Sequence, residues 1–98
     1  MKRDMAIEKL RAGQHAARAL GATSLFLFGS TARDEARPDS DVDIFVEYDP
    51  NAHFSLIDLA GIKLALEDRI GCEVHVTTRD SLHPMMRKRI EADSIKIF

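Results

Sequence analysis

Two clusters in the stretch LFLFGSTARDEARPDSDVDIFV, residues 25–46, carry side chains suited to phosphate chemistry. Gly29-Ser30 follows one apolar run, and Asp41 and Asp43 open a second. Side chains two residues apart on a β-strand project from the same face. Asp41 and Asp43 therefore point together, while Val42, Ile44 and Val46 point into the core. Carboxylates held this close repel one another unless something positive sits between them, and their oxygens suit hard cations such as Mg²⁺ or Mn²⁺. At Gly29-Ser30 a buried strand gives way to a helical turn. A glycine there lets the backbone approach a ligand closely, and N–H groups at a helix start favour an anion such as phosphate. The Ser30 hydroxyl adds a donor, and Arg33 one turn later can pair with a phosphate oxygen. An anion cradle beside a cation-binding acid pair is suited to nucleotide phosphates, and phosphoryl or nucleotidyl transfer needs little beyond such positioning and charge neutralisation.

Each half also has an ordinary explanation. Gly-Ser after a strand suits a plain turn, and Asp-x-Asp suits a solvated strand edge or a loop cap bonded to nearby backbone. Their combination is more specific: an apolar strand ahead of the glycine, a short spacer to Asp41, and a second apolar strand running through the acids.

The surrounding pattern supplies the elements that must hold these groups. Ala6, Leu10, Ala17 and Leu20 recur at helical spacing before Gly21, predicting a helix over about residues 3–20. Ser24–Phe28 reads as a central strand buried on both faces. STARDEA is a short helical segment leading into the Pro38 loop, and Asp41–Tyr48 is the second strand. After the turn DPNAH, Ser55 is an N-cap with Asp58 three residues on, and Leu59, Ile62, Leu66 and Ile70 give the next helix an apolar stripe that Gly71 closes. Glu73–Thr77 is a third strand. Leu82, Met86 and Ile90 line one face of a last helix, with Met85 and Met86 as gap-filling core residues, and SIKIF adds a terminal strand. The expected architecture is a small α/β or α+β domain: a mixed sheet of about four strands packed with helices, with residues 1–98 as one unit.

Composition narrows the function classes. The 98 residues carry a formal net charge of −2, so no basic excess argues for direct nucleic-acid binding. Cys72 is the lone cysteine, which rules out an internal disulfide and, with the scattered histidines, a structural zinc site; a reducing cytoplasm fits. The N-terminal segment is charged throughout and reads as part of the fold rather than a signal peptide or membrane span. His15, His53 and His83 read as solvated or capping groups. The run Arg87-Lys88-Arg89 reads as a solvated face, with a partner surface as second choice.

FGSTARDEARPDSDVDIFV resembles the glycine-serine, spacer and Asp-x-Asp signature of the polymerase β nucleotidyltransferase superfamily, and in particular its minimal nucleotidyltransferase branch. The similarity in layout runs from Leu20 to the last residue. It implies a polymerase β-like fold in which Gly29 and Ser30, with Arg33 and Ser40, hold the triphosphate of ATP, and Asp41 and Asp43 are catalytic ligands of Mg²⁺ or Mn²⁺. A third carboxylate on a neighbouring strand usually completes such a site. Here the matching position is His75, in EVHV. The imidazole could be a ligand or a general base; it could be a surface histidine on a site with reduced catalytic power; or Glu73, on the same face, could stand in. The resemblance further implies an antitoxin paired, as a hetero-oligomer, with a HEPN-domain ribonuclease toxin and transferring AMP to a tyrosine hydroxyl of it. A non-catalytic antitoxin that works by occlusion is the other reading. The chain has no room for a domain of its own that would bind a small-molecule acceptor.

Overall fold

In the computed structural model, which describes residues 1–98, the elements follow in the order α1 (Arg3–Ala12), α2 (Gln14–Ala19), β1 (Ala22–Phe28), α3 (Gly29–Ala32), β2 (Val42–Tyr48), α4 (Leu56–Ile70), β3 (Val74–Thr78), a 3₁₀ turn (Arg79–Ser81), α5 (Pro84–Asp93) and β4 (Ile95–Lys96). The sheet order is β3-β2-β1-β4. β1 pairs antiparallel with both β2 and β4, while β2 and β3 run parallel, so the sheet is mixed as expected. The second and third strands each begin one residue later than the sequence pattern suggests, which leaves Asp41 and Glu73 just ahead of them.

One face of the sheet is closed by helices. Leu25 and Leu27 of β1, Val42, Ile44 and Val46 of β2, and Val74 of β3 are fully buried against Ala6, Leu10, Ala17, Ile62, Leu66 and Ile70. The capping box on α4 forms as read: Ser55 accepts from the Asp58 N–H, and the Asp58 carboxylate accepts from the Ser55 N–H at 3.0 Å. The N-terminal helix, by contrast, is two helices rather than one. Gly13 interrupts it where it crosses α4, and a Cβ there would stand 2.8 Å from Leu66 Cδ2. The close crossing requires the glycine, and the glycine weakens the helix at that point.

The other face is only partly covered, so β1 is not buried on both sides. Phe26 and Phe28 are half-buried there, beside the fully buried Phe45. Their cover is the Arg79 guanidinium, 4.8 Å from the Phe26 ring centroid and 5.3 Å from that of Phe45, together with α5. Met85 and Met86 are not core residues: they are 89% and 52% exposed, and no residue of α5 is buried. Leu82, though buried, lies ahead of that helix. α5 is linked to the 3₁₀ turn by Glu91, which reaches Arg79 at 3.5 Å, and within the helix Glu91 pairs with Arg87 at 3.1 Å. Its start is capped by His83, whose Nδ1 accepts from the Met85 N–H at 3.2 Å. No helix is long and apolar enough to cross a membrane.

Candidate functional site

The open sheet face carries the acids. Strand alternation sends Val42, Ile44 and Val46 toward the helices and Asp43 to the other side, as the pattern predicts, whereas Asp41, one residue ahead of the strand, gathers with Glu73 and His75 in a cluster that does not include Asp43. Asp43 stands level with Phe28 on β1 and His75 on β3. It is thus flanked on one side by the Gly29 turn and on the other by the imidazole.

Gly29 is bound to this geometry in two ways. Its φ is +76°, in the left-handed region, and a Cβ would fall 2.5 Å from Asp43 Oδ2. The turn therefore brings backbone directly onto the Asp43 carboxylate, as only a residue without a side chain permits. Gly29→Ala should cost about 1–2 kcal/mol from backbone strain and displace Asp43 as well. Thermal melts and ATP titrations should both register the change; a variant indistinguishable in both would remove Gly29 from the site. The helix after the turn, α3, has four residues and carries little macrodipole.

On the other flank, His75 Nε2 lies 2.8 Å from Asp41 Oδ2 and 3.9 Å from Glu73 Oε1. Asp41, Glu73 and His75 each offer a ligand atom within 4.8 Å of the others. The structure thus brings Glu73 beside Asp41 and His75. Lys63, which carries no motif signal, stands behind it: Nζ is 3.7 Å from Glu73 Oε1 and 2.8 Å from Glu67 Oε2, and it donates to the Val74 carbonyl at 2.8 Å. Glu67 also accepts from the Val74 N–H at 2.9 Å. This pair ties α4 to the exposed edge of β3 and steadies the strand that presents His75. The Lys63 ammonium and the Val74 N–H hold the Glu67 carboxyl below its ordinary range.

Ser40 sits in the loop before Asp41, where its hydroxyl accepts from the Arg37 N–H at 2.9 Å, fixing the approach to β2. Arg33 contacts Glu35 at 3.5 Å and remains exposed. His15 and His53 are exposed and take no part.

Burial raises the Asp43 carboxyl above its ordinary value; His75 pulls against that rise, Asp41 adds to it, and Arg33 opposes it. A carboxyl with a raised folded-state pKa costs stability once the pH is above that value, and the cost fades below the unfolded-state value near 3.9. Asp43→Asn should therefore raise the Tm of the cation-free protein by a few degrees at neutral pH, the gain vanishing toward pH 3. Melts in chelator across that range check it; a lower Tm at neutral pH would show that the ionised carboxylate is stabilising.

Three comparisons bear on what such a site belongs to. Residues 14–97 match the nucleotidyltransferase domain family. A candidate protein adenylyltransferase of Methanocaldococcus jannaschii is 41% identical over 71 residues, 72% of this chain and 74% of its own, and a second from the same organism is 40% identical over 75 residues, 76% and 75% of the two chains. Among solved structures, a candidate minimal nucleotidyltransferase aligns with a TM-score of 0.73 at 35% identity, over 97% of this chain and 95% of that one. A toxin-antitoxin structure with AMP-PNP aligns with a TM-score of 0.68 over 100% of this chain and 73% of that one; at 16% identity the likeness is of fold.

Proposed function

From the premise that this chain belongs to the nucleotidyltransferase domain family, we propose that it transfers a nucleoside monophosphate, AMP from ATP in the simplest case, to a hydroxyl of a partner protein. The observation that carries the reading is the placement of Asp43 between a glycine turn pressed against its carboxylate and His75 on the neighbouring strand.

The donor set fits a divalent cation: half-exposed acids gathered around Asp41, and an Asp43 carboxyl that burial and a like charge disfavour and a positive charge would relieve. Asp41 and Asp43 would hold Mg²⁺ or Mn²⁺, with Glu73 and His75 beside them. Bound there, such an ion neutralises the α-phosphate and orients an in-line displacement. Gly29, Ser30 and Arg33 hold the β- and γ-phosphates, which places the leaving pyrophosphate on the β1 side of Asp43. In-line geometry then brings the acceptor hydroxyl from the opposite side, past His75. Its oxygen bonds to the α-phosphorus as the bond to the β-phosphate bridge breaks, and its proton passes to the imidazole or to water.

The partner we propose is a toxin, in line with the toxin-antitoxin fold neighbour, and specifically a HEPN-domain ribonuclease. Incubation with α-labelled ATP, Mg²⁺ or Mn²⁺ and the product of the adjacent reading frame should label that product. Absence of ATP binding by calorimetry with either ion would end this reading. One observation favours a second, non-catalytic reading: His75 sits on an Asp41 oxygen that a cation would need. In that case the chain neutralises its partner by occlusion alone.

A further inference from the structure

In the basic run on α5, Arg87 is accounted for by its contact with Glu91. Arg89 is exposed and lines a cleft of about 240 Å³ that opens at the Gly29 turn; Phe28, Met86 and Ile90 form its apolar part, and Arg33 and Asp93 the rest of its charge. The cleft lies on the β1 side of Asp43, away from His75. That is the side on which the displaced phosphates must lie if attack comes past His75. We infer that Arg89 is a second arm of the polyphosphate site, reaching the β- and γ-phosphates from α5 while the Gly29-Ser30 turn and Arg33 hold them from the other side. The inference rests on the proposed phosphate role of that turn.

Three features support it. The lining holds two guanidiniums and one carboxylate, and while Arg33 is shared with Glu35 at 3.5 Å, Arg89 has no ion-pair partner and keeps its charge for a polyanion. Apolar walls limit solvent screening, which strengthens each charge-assisted contact. Arg89 stands on the exposed side of α5 at the cleft, open to a ligand there. The consequence is selectivity for a nucleoside triphosphate over a monophosphate, since Arg89 touches only the part that leaves.

The test uses inorganic tripolyphosphate and, separately, AMP, each titrated in Mg²⁺ into the full chain. The wild-type protein binds tripolyphosphate, Arg89→Gln weakens that binding by about tenfold to a hundredfold, and AMP binding is unchanged. Lys88→Gln, which removes the same charge from a residue outside the cleft, has little effect. The proposal is overturned if the wild-type protein does not bind tripolyphosphate, if Arg89→Gln binds it equally well, if AMP binding falls in parallel, or if Lys88→Gln loses as much. Since Arg89 is exposed, an unchanged circular dichroism melt confirms that the variant is folded. Arg89-dependent tripolyphosphate binding without AMP transfer to any partner would overturn the proposed function and leave this site standing; AMP transfer with a silent Arg89→Gln would do the reverse.

Discussion

Replacing Asp41 and Asp43 together by Asn is expected to reduce AMP transfer by about 10³-fold or more, because the two carboxylates are the groups that would anchor a cation worth several kcal/mol of transition-state charge stabilisation. The loss should not come from unfolding. Asn has nearly the shape of Asp, Asp41 precedes β2 in a half-exposed position, and Val42, Ile44 and Val46 keep that strand buried against the helices. Removing the charge of Asp43 also relieves the desolvation that raises its pKa. The double variant should therefore melt at or above the wild-type temperature in chelator while failing to label the partner from α-labelled ATP. Equal labelling would sink the cation mechanism. The same variant separates the two readings of the partner relationship in cells: if it folds and no longer neutralises the toxin, neutralisation depends on the chemistry, and if it still neutralises, occlusion is sufficient.

The parts of this site that lie close together in sequence were legible there. Strand alternation places Asp43 opposite the core residues that flank it, and the Ser55–Asp58 capping box needs only four consecutive residues, so both follow from local geometry. The same holds for the cap at His83, where a following proline fixes the helix start. What escaped the sequence depends on contacts between distant elements. Lys63 and Glu67 look like an ordinary i,i+4 surface pair on α4, and nothing in their spacing announces that together they bond both backbone groups of Val74. Met86 fits the apolar stripe with Leu82 and Ile90, yet α5 lies at the edge of the sheet face, where Met86 and Ile90 only line a cleft beside Phe28 and Met85 faces solvent. The half-covered Phe26 and Phe28 follow from that placement. An apolar strand read alone predicts burial on both faces, whereas here the helices α1, α2 and α4 cover only one of them. The position of Glu73 is hard to read for a related reason: it lies one residue outside β3, where the strict alternation that would define its direction no longer holds, and only the structure shows it within reach of Asp41, His75 and Lys63.

Placing a carboxylate at position 75 is expected to have the opposite effect to removing the acids. His75→Asp should raise Mg²⁺-supported transfer by about tenfold to a hundredfold, a range set by what single changes around metal ligands do to affinity or activity. Hard cations are held largely by carboxylate charge, and a neutral imidazole suits Mn²⁺ and later transition metals better than Mg²⁺. The wild-type protein should accordingly be more active with Mn²⁺ than with Mg²⁺, and the variant should narrow that ratio. The gain has a cost in the cation-free state. His75 Nε2 lies 2.8 Å from Asp41 Oδ2, and a carboxylate at this position would put like charge beside Asp41, Asp43 and Glu73. Its Tm in chelator should fall below wild type and recover on addition of Mg²⁺, a linkage that a merely destabilised variant would not show. Packing is not at stake, because the imidazole is 56% exposed. Lower transfer with both ions would overturn the ligand-charge argument. It would assign His75 instead to proton transfer from the acceptor hydroxyl, a role that an imidazole fills better than a carboxylate.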